Sequence, residues 1–176
     1  MIHLAGTAKR SFLFPSNVHE AMQYYAKMEC LFSYLPYITL TKTYSSTQFR
    51  VLFSSTELSI YKIHLYCDLE VTLDSKNAVI TVGMLNGKKP IKPKAGMHSS
   101  CGMAEFISTS QFTPDGDNTR IYYHLNLKGE LPTPLAFSLV PDSITNHIAD
   151  NIAKRRIYEI ADGFISGSLA DFEKTR

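Results

Sequence analysis

The chain has 176 residues and a mass of 19.8 kDa, the size of one domain with a core of its own. Apolar residues make up 44% and charged residues 19%, which excludes the disordered class. Eighteen Lys and Arg against sixteen Asp and Glu leave +2 at neutral pH, too mild a balance to call for a nucleic-acid partner.

From Lys9 to Phe14 the chain reads as a short strand closed by Pro15. Ser16 or Asn17 then caps a helix, with Glu20 three residues after Asn17, and the pattern predicts a helix from about Val18 to Met28. Val18, Met22 and Tyr25 share its inner face. A shorter turn, Cys30 to Leu35, ends at Pro36. From Ile38 to Lys128 the period becomes two. Ile38, Leu40 and Lys42 alternate with three threonines, and Phe49, Val51 and Phe53 alternate next, with Arg50 and Ser54 opposite. The longest run, Leu58 to Leu73, places Tyr61, Ile63, Leu65, Cys67, Leu69, Val71 and Leu73 at odd positions. This predicts burial of Tyr61, Ile63, Leu65, Leu69 and Val71, and exposure of Lys62, Asp68 and Glu70. A turn at 74–77 leads into Ala78–Met84, and Met103–Phe112 and Thr119–Leu127 form a hairpin around 114–118. Six or seven strands joined by short turns make an antiparallel meander.

The last third returns to helix. Leu131-Pro132-Thr133-Pro134 breaks the sheet, Pro141 sits at a first helical position, and helix is predicted to about Phe172. Ile144, Ile148, Ile152, Ile160, Phe164 and Leu169 form an apolar stripe, while Gly163 and Gly167 are expected to loosen the later turns. One long stripe needs one large apolar surface, and the concave face of a curved sheet supplies it.

No side-chain pattern names a reaction. His64 with Cys67 and His98 with Cys101 make two HxxC pairs; the first, on a strand, points to opposite faces, and the second, near a loop, offers two ligands with no matching second pair, so no metal site is expected. Cys30, Cys67 and Cys101 form no CxxC pair and read as thiols of a reducing compartment. No nucleophile elbow or phosphate-binding glycine loop occurs, so no catalytic residue and no cofactor is assigned. Asp68 and Glu70 share a strand face that reads as wet rather than catalytic. The start MIHLAGTAKR lacks an apolar signal region, and no run of about 18 apolar residues exists, so a cytoplasmic protein is expected. The segment 87–96 carries Lys88, Lys89, Lys92 and Lys94 around Ile91. It is a candidate membrane or gate loop, suited to transient contact with an anionic membrane surface.

The order strand, two short helices, about six strands and a long terminal helix resembles the helix-grip fold of the START and polyketide-cyclase-like (SRPBCC) superfamily. MECLFSYLP at 28–36, IYKIHLYCDLEVTLD at 60–74 and GELPTPLAFSLVPDSI at 129–144 are similar to a cyanobacterial and plastid branch of it. The resemblance implies one α+β domain over 1–176, with a curved antiparallel sheet wrapped around the C-terminal helix. It also implies a cavity between sheet and helix, used by relatives for lipids, sterols, polyketides or pigments. The candidate ligand-binding residues are Tyr61, Ile63, Leu65, Phe106, Tyr123, Ile148, Ile152 and Phe164, with Tyr61 and Tyr123 on the floor and the Lys88–Lys94 loop near one mouth. The expected function is non-catalytic binding of a hydrophobic small molecule. The alternatives are a cyclase or aromatase using the same cavity, and an assembly factor whose cavity has collapsed.

Overall fold

The cap at Asn17 is where local chemistry is most explicit: its side chain accepts the Glu20 backbone N–H (3.0 Å), and Ser16 Oγ donates to the Glu20 carboxylate. In the computed structural model, which describes residues 1–175, this cap starts helix α1, Val18–Tyr25. The helix stops three residues earlier than its periodicity predicts, at Ala26, and resumes as the single turn α2, Met28–Leu31. A 3-10 turn, Phe32–Tyr34, comes next. Before α1 lies β1, Ile2–Phe14. It is far longer than Lys9–Phe14 because all thirteen residues pair with one strand, and its exposed Ala5 and Thr7 hide that pairing from an apolar pattern.

The remaining strands are β2 Ile38–Thr43, β3 Gln48–Glu57, β4 Tyr61–Asp74, β5 Val79–Met84, β6 Lys94–Ala95, β7 Ser99–Asp115 and β8 Asn118–Leu131. A second 3-10 turn, Leu135–Phe137, precedes helix α3, Asp142–Thr175. The main path of the sheet runs β1-β8-β7-β5-β4-β3-β2, with the short β6 on β7. Pairing is antiparallel except where Lys62–Tyr66 of β4 runs parallel to Ser99–Met103 of β7. The exception arises because β5 is short and separates β4 from β7 over only part of their length. The architecture is therefore α+β: an open, mainly antiparallel sheet around one long helix.

On β4, Tyr61, Ile63, Leu65, Cys67, Leu69 and Val71 are buried and Lys62 is exposed, as alternation requires, while the terminal Leu73 emerges into water. Asp68 departs from the expectation. Its carboxylate is buried, and Glu70 is half-buried, accepting from Gln48 Nε2 (2.9 Å). The cause is distant in sequence: the segment after β5 folds over the outer face of the sheet. Arg50 Nε and one Nη each donate to Asp68 at 2.7 Å, the same Nη reaches the Lys89 carbonyl (2.7 Å), and Tyr44 Oη donates at 3.1 Å. A carboxylate leaves water only when paired, and the guanidinium supplies two charge-assisted bonds.

Helix α3 has 34 residues, about 51 Å of rise, and crosses the concave face. Its buried face differs from the predicted stripe. Thr145, Ala149, Ala153, Ile157, Ile160, Ala161, Phe164 and Ser168 point inward, whereas Ile144 and Ile148 are exposed and Ile152 is half-buried. Small residues face the sheet because the helix lies close to β1: a Cβ on Gly6 would come within 3.1 Å of Ile157 Cγ2 and 3.3 Å of the Ala153 carbonyl. Gly163 and Gly167 do not loosen the helix. They make room for Pro36 and Tyr34: an added Cβ would lie 2.6 Å from Pro36 Cδ at the first and 2.8 Å from Tyr34 Cβ at the second. An ion network ties the helix to β3: Arg155 and Arg156 both donate to Glu57, which is only 1% exposed, and Arg156 also holds Tyr37 Oη and Glu159. Burial raises the pKa of Glu159, but the hydrogen bonds from Arg156 and Tyr37 outweigh it and leave the carboxyl below its ordinary range.

Candidate functional site

The two halves of α3 cover different interiors. The C-terminal half closes on rings brought by β1, α1, β7 and β8. Phe164 stacks on Tyr123 (5.2 Å between centroids), Tyr25 meets Phe14, Phe112 and Phe164, and Tyr25 Oη pairs with Ser168 Oγ (2.8 Å). Phe106, Tyr123 and Phe164 border a void of only about 20 Å³ with Tyr25, Met28 and Phe32. Burial pushes the Tyr123 and Tyr25 phenols well above their ordinary range and the Cys67 thiol up to about 12. This end is a packed core.

The first turns of α3, before its close approach to β1 at Ala153 and Ile157, leave a cavity of about 150 Å³. Ile2 and Leu4 of β1, Tyr61 and Ile63 of β4, and Leu131 of β8 form its floor. Thr145, Ile148, Ala149 and Ile152 of α3 form the roof, and Leu58, Phe137 and Val140 stand at the side. No charged side chain and no histidine lines it. Thr145 Oγ1 is occupied by the Asp142 carbonyl (3.0 Å). The Tyr61 hydroxyl is buried with no hydrogen bond of good geometry; the Ser100 hydroxyl lies beside it and donates to the Pro132 carbonyl. Burial raises the Tyr61 pKa. The Phe137 ring covers Tyr61 edge-on, with centroids 5.5 Å apart.

The eight candidate ligand residues thus separate. Tyr61, Ile63, Ile148 and Ile152 surround the cavity; Phe106, Tyr123 and Phe164 border the small void; Leu65 is fully buried and lines neither. Tyr61 and Tyr123 do not share a floor, because the rings from α1 fill the space between sheet and helix at the Tyr123 end. The basic loop also lies elsewhere. None of Lys88, Lys89, Ile91, Lys92 and Lys94 lines the cavity. Lys88 Nζ sits over the Tyr44 ring on the outer face, and Lys94 pairs with Cys101 in the β6–β7 ladder. Only the stretch just past the loop comes near: Gly96 and Met97 carbonyls accept the N–H groups of Leu135 and Ala136, which carry Phe137. Ile2, Leu4, Leu131, Val140 and Thr145 were not among the candidates from the sequence, and Leu58, which begins the predicted long strand, stands instead in the turn before it.

Two larger hollows, of about 570 and 690 Å³, are edged by exposed polar side chains: His3, Glu105, Lys128 and Glu130 on the outer sheet face, and His19, Gln23 and Lys27 beside α1. Neither encloses an apolar molecule. Among the described residues, no three His, Cys, Asp or Glu gather as metal ligands. No helix among them is long and apolar enough to cross a membrane.

No family model and no curated protein matches the sequence. Solved structures do resemble it. A START superfamily protein from Mycobacterium smegmatis aligns with TM-score 0.57 at 10% identity, covering 97% of this chain and 99% of the other. A conserved protein from Geobacillus kaustophilus gives 0.56 at 11% identity, covering 98% and 97%. The Zhui aromatase/cyclase from Streptomyces sp. R1128 gives 0.52 at 9% identity, covering 93% of each chain. With the sheet order, the long terminal helix and the cavity between them, these likenesses establish that the chain has the START-like helix-grip fold.

Proposed function

We propose that the protein binds an uncharged hydrophobic small molecule, lipid-, isoprenoid- or pigment-like, in the cavity under Phe137, without acting on it chemically. The observation that carries this reading is the Tyr61 hydroxyl, buried and unpartnered in an otherwise apolar chamber. An unsatisfied buried hydroxyl costs about 1–3 kcal/mol, which a ligand with one hydrogen-bonding group recovers. Apolar contact supplies the remaining affinity, at about 25 cal/mol per Å². A charged head group is disfavoured because no cation lines the chamber to meet it. The volume of about 150 Å³ matches a cavity that takes a single benzene ring. The chamber therefore holds the leading end of a longer molecule, whose remainder passes out between Leu58, Phe137 and Ile148. A cyclase needs a group that exchanges protons at the cavity. Tyr61 is the one titratable side chain lining it, and burial keeps its phenol protonated. Likeness to the cyanobacterial and plastid branch belongs to the same proposal.

Retinol, an uncharged isoprenoid alcohol with its own fluorescence, tests the reading. It is expected to bind one to one and more tightly than retinoic acid. Tyr61→Phe weakens binding about fivefold, the loss of one neutral hydrogen bond. Ala149→Phe fills the chamber and abolishes binding. Binding that does not saturate, or that ignores both substitutions, overturns the reading in favour of a scaffold.

A further inference from the structure

Around the mouth of the cavity stands a collar of exposed apolar side chains: Leu58 and Ile60 in the β3–β4 turn, Met97 before β7, Leu135 and Leu139 before α3, and Ile144 in its first turn. Leu139 is 96% exposed. Hydrogen bonds join the three tips into one rim: Lys62 N–H to the His98 carbonyl (2.9 Å), Leu135 N–H to Gly96 (3.2 Å) and Ala136 N–H to Met97 (3.3 Å). Leu58 belongs to both the rim and the cavity wall, so the two apolar surfaces are continuous.

The backbone under Leu58 argues that the collar is kept for a purpose. Leu58 and Ser59 adopt φ of 50° and 64°, the left-handed region where Gly or Asn sits without strain and a leucine is crowded. The turn thus holds a large apolar residue in water on an unfavourable backbone, at odds with both solubility and local preference. The charges beside the rim are complementary to an anionic surface. Lys62 and Lys94 are exposed there, Asp142 is the exposed acid at the start of α3, and Glu57 at the turn is buried by Arg155 and Arg156.

We propose that the collar docks on a bilayer containing anionic phospholipid. Leu58, Ile60 and Leu139 enter the boundary between head groups and acyl chains, and Lys62 and Lys94 meet the head groups. This rests on the cavity reading, since a mouth buried in lipid lets an apolar molecule pass without crossing water. Three projecting tips around an opening suit a soft surface better than a second copy of the chain, which would seal the mouth.

The full chain is floated with vesicles of phosphatidylcholine alone and with 30% phosphatidylserine. Binding is expected with the anionic vesicles, much weaker with the neutral ones, and reduced by salt. Leu139→Glu lowers partition at least tenfold while retinol binding stays unchanged, and Lys62→Glu with Lys94→Glu lowers it on anionic vesicles. Ile107→Glu, at an exposed apolar site on β7, changes it less than twofold. Leu58→Asn lowers partition yet keeps or raises the melting temperature, because asparagine fits the turn. Retinol binding without vesicle binding overturns the docking proposal and leaves the cavity reading standing. Vesicle binding indifferent to Leu139→Glu, or equal on both compositions, also overturns it. So does a dimer in light scattering that Leu139→Glu dissolves and that binds no vesicle.

Discussion

Asp68 shows how far one residue's environment can depart from its place in a pattern. It occupies the outer face of β4, as alternation demands, yet Arg50, Tyr44 and the Lys89 backbone remove it from water. It is thereby a structural carboxylate, on the face opposite the cavity, and takes no part in acid–base chemistry there. Arg50→Met leaves that carboxylate buried without its cation. The expected loss is about 3–5 kcal/mol in urea unfolding, while Arg50→Met with Asp68→Leu recovers most of it. A double variant destabilised by the sum of the losses of Arg50→Met and Asp68→Leu alone would show that the pair is not coupled.

At the scale of the element, α3 is a helix selected for fit rather than for propensity. Its hydrophobic repeat identified a long helix, but the face it buries was set by how close it approaches β1, Tyr34 and Pro36. Small residues win the inward positions there, and isoleucines are turned to the rim. Gly163→Ala separates the two influences. Helix propensity alone predicts a gain of about 1 kcal/mol. The Pro36 ring, with Cδ 2.6 Å from the added Cβ, has no flexible end to yield, so overpacking of about 1–3 kcal/mol wins. The variant is expected to melt at a lower temperature than the parent, and a higher melting point would mean that the turn before β2 moves aside freely.

For the whole molecule, among the described residues the concave face of the sheet is covered by the helices α1, α2 and α3 and the two 3-10 turns. Deleting the chain from Asp142 onward opens the surface carrying Leu4, Ile63, Leu125 and Tyr123, far above the few hundred Å² of contiguous apolar patch that a soluble monomer tolerates. The truncated chain is expected to aggregate or to lose its cooperative unfolding transition in calorimetry. A soluble truncation with a sharp transition would show that the helix is an accessory to an independently stable sheet.

The sequence by itself determined most of the elements and their order, because period two, period 3.6, capping residues and prolines act within a few positions of one another. Those signals were enough for an α+β fold with a long terminal helix and for the buried face of β4. They also placed Tyr61, Ile63, Ile148 and Ile152 on surfaces that meet. Only the tertiary structure decided which part of the interior stays open. The aromatic residues of α1 close the Tyr123 end, and nothing comparable stands between Tyr61 and α3. It also decided that the lysine loop covers the outer face and that Leu58, Met97 and Leu139 share a rim. These are meetings between segments tens of residues apart, set by sheet order and close packing, and no local periodicity carries them.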